Sequence, residues 1–438
     1  MDENYYGDIK TFLRIGLVLL SRMGFMLVQI GTIPIQNVYR IVFFNVFEIG
    51  LAIISYVTIG YMFTYGEHSL AGILGYTSSP FNITSNITDQ IIFGLSGVLL
   101  GSAELSCFTI GRIHLVASFI VSLLYCMLYQ PMLAHWIDRE DGWMRNNTLF
   151  DKKVEIKDYA GNMVVHLSSS LMGAIGAAFL GRRLMRLKDL DERSIAREYS
   201  ALTVIGYLLV LIGYAAFSLP TNQYVRTPDN YIAFIVLNIC TAFATGVLLT
   251  SLLNIFIARR ILNYWSVLRC FQGGIAGVIS IAAATDIYNV PRSAGVAAVA
   301  ALFFFFFAIL VHNTLLEDNC NLISSHLVAS IVGTIACPIV AKKENLGGRE
   351  KGTHLLWQFI CLLVVLATTI VYSWLLFLLL SCCKLLRNKD EALNHRRAVA
   401  VAKYLPRKSC LQRLFMIDSK TDHIAPGDGD RSKYLNEL

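Results

Sequence analysis

Charge is scarce in this 438-residue chain: 15% of positions are Asp, Glu, Lys or Arg, where a soluble globular domain carries about a quarter. That scarcity excludes an ordinary soluble domain, and a hydrophobic share of 55% fills the gap. A basic leader is missing as well. Residues 1–10 are acidic on balance and hold no positively charged n-region, so no cleaved signal peptide is expected. The ten cysteines fall in apolar runs, at their inner ends or in the tail, and none lies in a loop expected outside the cell. No disulfide framework is therefore expected. Cys382 and Cys383 close the last apolar run and read as a plain juxtamembrane pair. No metal-ligand cluster, phosphate-cradling glycine loop or nucleophile triad stands in the sequence, so neither an enzyme nor a cofactor is expected. The formal charge of +7 does not indicate nucleic acid, because the basic residues sit in loops and tail, where they report membrane orientation.

What the chain does have is apolar runs near ~20 residues, enough to cross the hydrocarbon of a bilayer as helices. Eleven can be read, at 12–34, 42–65, 91–110, 115–137, 164–180, 202–219, 231–258, 273–285, 294–311, 322–340 and 355–383. The class is an all-α polytopic membrane protein with a transmembrane domain over 1–383 and a basic, partly disordered tail over 384–438. The eighth run is rich in Gly and Ala, which suits close helix packing. Arg182, Arg183, Arg186, Lys188, Arg193 and Arg197 follow the fifth run, and Arg259, Arg260 and Arg269 follow the seventh. The positive-inside rule puts these loops and the tail in the cytoplasm and the N-terminus outside. The sequons at Asn82, Asn86 and Asn146 then all fall outside. Residues 138–161 are also basic yet must be external; their charges are interleaved with acids, so the loop is expected to fold back on itself.

Two of the runs begin with a histidine a few residues in: His166 in the fifth and His326 in the tenth. A titratable side chain inside a span is costly unless it faces a pore or a partner. Equal placement in runs five and ten suggests two five-helix units. An odd number of spans gives consecutive units opposite topology, the inverted-repeat arrangement, with a long final helix added. Arg22, Glu48 and Glu104 are further charges within spans, and a structural ion pair involving Arg22 is expected. The Phe303–Phe307 run reads as bulk facing lipid or a neighbouring subunit.

Asp158-Tyr159-Ala160-Gly161-Asn162-Met163-Val164-Val165-His166 resembles the DFAGGxVVH signature of the ammonium transporter/Rh family, on the ammonium-transporter side. Residues 317–326, ending in His326, resemble that family's DDxxDxxxxH segment. Matches continue in order from about residue 12 to 383, including Ala134-His135-Trp136 and Gly213-Tyr214-Ala215-Ala216-Phe217. The resemblance implies an eleven-helix, inverted-repeat fold in a plasma-membrane homotrimer with one pore per subunit. It implies that ammonium is recruited outside and deprotonated, and that ammonia passes an apolar lumen lined by His166 and His326, with the two rings sharing a hydrogen bond edge to edge. Asp158 would shape the outer vestibule by capping backbone, which is also what a plain helix cap does. Phe217, Phe93 and Thr221 match the outer gate and cation site. The alternatives are a transport-poor sensor or partner subunit, and an Rh-like neutral ammonia channel.

The chain departs from the family pattern at several places. Asp138 and Gly97 replace a vestibule tryptophan and a second gate phenylalanine, and Tyr214 replaces a tryptophan. Gln29 and Asn321 replace carboxylates, while Leu327, Ala329 and Ser330 replace glycines after the second histidine. These changes point to a more acidic vestibule and altered packing beside His326.

Overall fold

In hydrocarbon a backbone must satisfy its own polar groups, and an apolar run does so only as a helix. The computed structural model describes residues 3–32, 38–77, 85–181, 200–220, 231–257, 264–312, 314, 316–343, 346 and 350–387. Within them eleven helical segments follow one another: α1 Glu3–Thr32, α2 Val38–Tyr65, α3 Ser85–Thr109, α4 Leu115–Asp138, α5 Asn162–Leu180, α6 Ser200–Phe217, α7 Tyr231–Phe256, α8 Tyr264–Ile281, α9 Val290–His312, α10 Ile323–Val340 and α11 Lys351–Cys382. Nine are long and apolar enough to cross a membrane, and α6 and α8 are shorter apolar helices. The eleven-span reading agrees with this. Only the boundaries move: α8 opens at Tyr264 rather than 273, so Arg269, assigned above to a loop, lies inside a helix and is 7% exposed.

Helix α3 is the axis of the bundle, with 94% of its apolar window buried. Across it α1 packs along α6. One close approach is reciprocal: a Cβ on Gly24 would stand 2.7 Å from the Gly206 carbonyl oxygen, and one on Gly206 would stand 2.7 Å from that of Gly24. Small residues let two backbones meet this closely. The first and sixth spans thus cross at corresponding points, as the first members of two inverted units should.

The fifth and tenth spans correspond more closely still. Each opens with a π-helical turn, Asn162–Leu167 and Ile323–Val328, and each of those turns carries the histidine. Such turns are uncommon and gather at functional positions. Eight residues before each histidine stands an aspartate that caps the turn. Asp158 accepts the backbone N–H groups of Asn162, Met163 and Val164, and Asp318 those of Leu322 and Ile323. Burial raises both carboxyls, Asp318 to about 6, and the backbone donors pull the other way.

The 138–161 loop does fold back. Asn147–Leu149 (β1) pairs antiparallel with Lys152–Val154 (β2), and a second hairpin precedes α3, with His68–Leu70 paired to Leu74–Tyr76. Arg139 pairs with Asp141 at 3.1 Å, Lys152 with Glu350 at 2.6 Å, and Lys157 with Asp286. The backbone of Tyr159 and Ala160 then docks on the carbonyls of Ala283 and Ala282 at 3.1 and 2.9 Å, which fixes the entry to α5. The expected buried ion pair is Arg22 with Glu48, 2.8 Å apart, both fully buried, with Ser102 and the Leu99 carbonyl taking further guanidinium donors. In the phenylalanine run, residues 303, 306 and 307 face outward and residues 304 and 305 face in.

Candidate functional site

The π turns of α5 and α10 bring His166 and His326 together in the middle of the bundle. The rings meet edge to face with centroids 5.8 Å apart, and they are 2% and 1% exposed. The shared ring-to-ring hydrogen bond is replaced by something else. Among the described residues, the ring nitrogens bond other groups. His166 Nδ1 lies 2.7 Å from Glu104 Oε1, and His326 Nε2 lies 2.7 Å from the Tyr214 hydroxyl. That hydroxyl donates to the same Glu104 oxygen at 2.8 Å. Ser169 donates to Glu104 Oε2 at 2.6 Å, and Ser325 Oγ sits 2.8 Å from His326 Nδ1. The result is one continuous chain: His326, Tyr214, Glu104, His166.

The sequence marks Glu104 as a charge within a span but does not give its partners. Glu104 is fully buried, and it pairs with the histidines rather than with Arg22. It lies on α3 eleven residues after Phe93 and seven after Gly97. At about 3.6 residues per turn those positions share one helix face, so the phase of α3 contained the signal. The donor set of one carboxylate and two imidazoles, with atoms within 4.8 Å of one another, is a type that transition metals accept. Here each of these residues already has hydrogen-bond partners.

Toward the end of the bundle that carries the 138–161 loop, Phe93 and Phe217 stack nearly parallel, 4.9 Å apart at 4°. Phe217 stands one helical turn beyond Tyr214 on α6, so the gate residue and the central hydroxyl share a face. At Gly161, whose φ is +64°, a Cβ would stand 3.0 Å from the Phe217 ring, so this glycine makes room for it. At Gly97 a Cβ would meet Gln130 Nε2 at 3.0 Å and the Phe217 ring only at an ordinary 3.6 Å.

Over the other side of the gate lies Arg14, fully buried, its guanidinium carbon 5.5 Å from the Phe93 ring centre. It bonds Asp89 at 3.1 Å and the carbonyls of Leu219 and Pro220 at 2.6 and 3.1 Å. The chain thus places its own cation on an aromatic ring expected to attract one. Thr221 lies outside the described residues. Asp138 lines a cavity of about 440 Å³ with Gln90, Arg139, Glu140, Asp141 and Arg145, three acids and two arginines. Asn146 is exposed, whereas Asn82 and the side chain of Asn86 lie outside the described residues. Gln29 and Asn321 sit in amide chains, to Asn45 and Gln272 at 2.7 Å each. Beside His326, Asn162 bonds the Ser330 carbonyl at 2.9 Å and ties α5 to α10.

Comparison with known proteins agrees with this architecture. The chain is 23% identical over 273 residues to ammonium transporter 3 of Dictyostelium discoideum, 60% of this chain and 59% of that protein. It is 22% identical over 422 residues to putative ammonium transporter 1 of Caenorhabditis elegans, 89% of this chain and 77% of that protein. Among solved structures, one titled "Sensor Amt Protein" superposes with a TM-score of 0.76 at 19% identity, covering 92% of this chain and all of that one. The profile of the Ammonium Transporter Family matches residues 11–397, and the chain belongs to that family.

Proposed function

We propose that this protein moves ammonium across the plasma membrane, taking it up at the Phe217 end, removing its proton and passing ammonia by His166 and His326. The observation that carries this reading is the meeting of those two rings, on equivalent turns of α5 and α10, with Tyr214, which His326 contacts, one turn of α6 from the stacked Phe217. Transferring a bare cation into a low-dielectric lumen costs on the order of tens of kcal/mol, and a neutral amine escapes most of that cost. An imidazole changes charge near neutral pH and suits the proton's side of that exchange. Asp158 acts by holding the π turn that aims His166. Phe93, Phe217 and Thr221 would form the recruiting mouth, where cation–π attraction contributes about 0.5–2 kcal/mol. The reading includes an external N-terminus, a cytoplasmic tail, sugar on the external sequons and a homotrimer with one path per subunit.

A second reading, a transport-poor ammonium sensor or partner subunit, is favoured by Arg14. Its guanidinium stands over Phe93, where an arriving ammonium would bind. A neutral ammonia channel is the third. Expression in cells that lack ammonium uptake, with growth on low ammonium and electrical recording, separates the three. Transport predicts growth rescue with charge movement. The sensor predicts neither, and a neutral channel predicts rescue without current. Rescue that survives His166→Ala combined with His326→Ala contradicts the leading reading.

A further inference from the structure

Glu104 is a group that both histidine branches reach, and the direction of each bond bears on what it can do. Fully buried, its carboxylate accepts from Ser169 and Tyr214, and His166 Nδ1 lies 2.7 Å from Oε1. Tyr214 has a single hydroxyl proton. With that proton on Glu104, the short contact to His326 Nε2 is made by the ring donating to the tyrosine oxygen. Each histidine therefore points a proton at Glu104, His166 directly and His326 through one tyrosine. A carboxylate with three donors in a dry interior is a strong, preorganised acceptor.

From this we infer that Glu104 is the shared proton acceptor of the two histidines, the place where ammonium's proton is held while ammonia moves on. The inference rests on the transport reading above for its substrate and deepens it. In the His166 branch, one N–H bond of ammonium breaks and the proton adds to His166 Nε2. The His166 Nδ1–H bond then breaks, its electron pair stays on Nδ1, and the proton bonds Glu104 Oε1. Ammonia, a neutral imidazole and a neutral carboxyl remain. In the His326 branch one N–H bond of ammonium breaks and the proton adds to Nδ1, the ring nitrogen beside Ser325. The Nε2–H bond then breaks and its proton moves to the Tyr214 oxygen as the tyrosine's own proton moves to Glu104, so that ammonia, a neutral imidazole, a tyrosine and a neutral carboxyl remain. One positive charge meets one negative charge in both routes, so the centre never holds an uncompensated cation. Its charge is carried by the protein, which is what a proton route separate from ammonia requires.

The test uses the full-length protein in lipid vesicles, with charge movement recorded after an ammonium step, and infrared difference spectra taken on acidification and on adding ammonium chloride. The expected spectrum gains a protonated-carboxyl band that is missing in Glu104→Gln. Charge movement is expected to fall about tenfold or more in Glu104→Gln and in Tyr214→Phe, in the range that a lost acid–base group produces. Glu104→Asp restores part of it and moves its pH profile, which a merely structural role would not do. A carboxyl band unchanged in Glu104→Gln, or wild-type current in that variant, overturns the inference. If Glu104→Gln fails to fold, Tyr214→Phe, which removes only the bridging oxygen, decides by its current. If the wild type moves no charge, it is the transport reading that fails. The acidification spectra of wild type and Glu104→Gln then decide the acceptor role alone: a band lost in the variant upholds it, and identical spectra overturn it.

Discussion

Three intramembrane charges behave differently because of what surrounds them. Arg22 and Glu48 neutralise each other between α1 and α2; Ser102 and the Leu99 carbonyl accept from the guanidinium and Ser122 donates to the carboxylate, while Arg22 Nε has no hydrogen-bond partner among the described residues. Glu104, on the same helix as Ser102, faces the opposite task, because its partners are titratable rings. The pairing of Arg22 was legible from sequence alone, since an unpaired guanidinium at that depth is too costly to persist. The role of Glu104 was not, because a carboxylate inside an apolar run reads first as a second partner for the nearest arginine. Only the phase of α3 relative to Phe93 separates the two readings. The buried pair makes its own prediction. Arg22→Met alone strands Glu48 and should lower stability by about 3–5 kcal/mol, whereas Arg22→Met with Glu48→Leu should recover most of that loss. Thermal unfolding in detergent measures both, and a double variant as unstable as the single one would show that the pair is not self-contained.

At the level of elements, eleven apolar runs announced eleven helices, and the boundaries failed where polar residues are buried. Helix α8 starts earlier than hydropathy indicates because Arg269 and Gln272 sit inside it. Gln272 is satisfied there by the Tyr207 hydroxyl at 2.9 Å and the Cys320 carbonyl at 3.0 Å. A hydropathy reading cannot see a partner on another helix. Equivalence of α5 and α10 was suggested by their histidines, and the matching aspartates eight residues earlier carry it further. The capping carboxylate of α10 yields a pH prediction. Burial holds Asp318 up to about 6, more strongly than its backbone donors and Arg112 hold it down. A carboxyl raised in the folded state binds its proton more tightly there than in the unfolded chain. Its contribution favours folding below the unfolded value of about 4 and is lost as pH rises through the folded value. Stability of the wild type relative to Asp318→Asn should therefore fall by up to about 3 kcal/mol between those limits. Unfolding curves that stay parallel across that range would show that Asp318 does not titrate there.

On the scale of the whole molecule, the two inverted units cross at Gly24 and Gly206 and place equivalent histidines side by side on the bundle axis. The family signature around residues 158–166 made that pair legible in sequence. The chain's own additions were less visible: Arg14 at the mouth and Glu104 at the centre stand where a simple apolar conduit would have neither. Both are charges within hydrophobic runs, and their effect depends on which helices close around them. The central claim is that ammonium nitrogen crosses at His166 and His326. The direct measurement is uptake of ¹⁵N-labelled ammonium by vesicles holding the full-length protein, compared with His166→Ala/His326→Ala. The account predicts uptake above that of empty vesicles and a fall of about tenfold or more in the double variant. Equal uptake by the two proteins would contradict it.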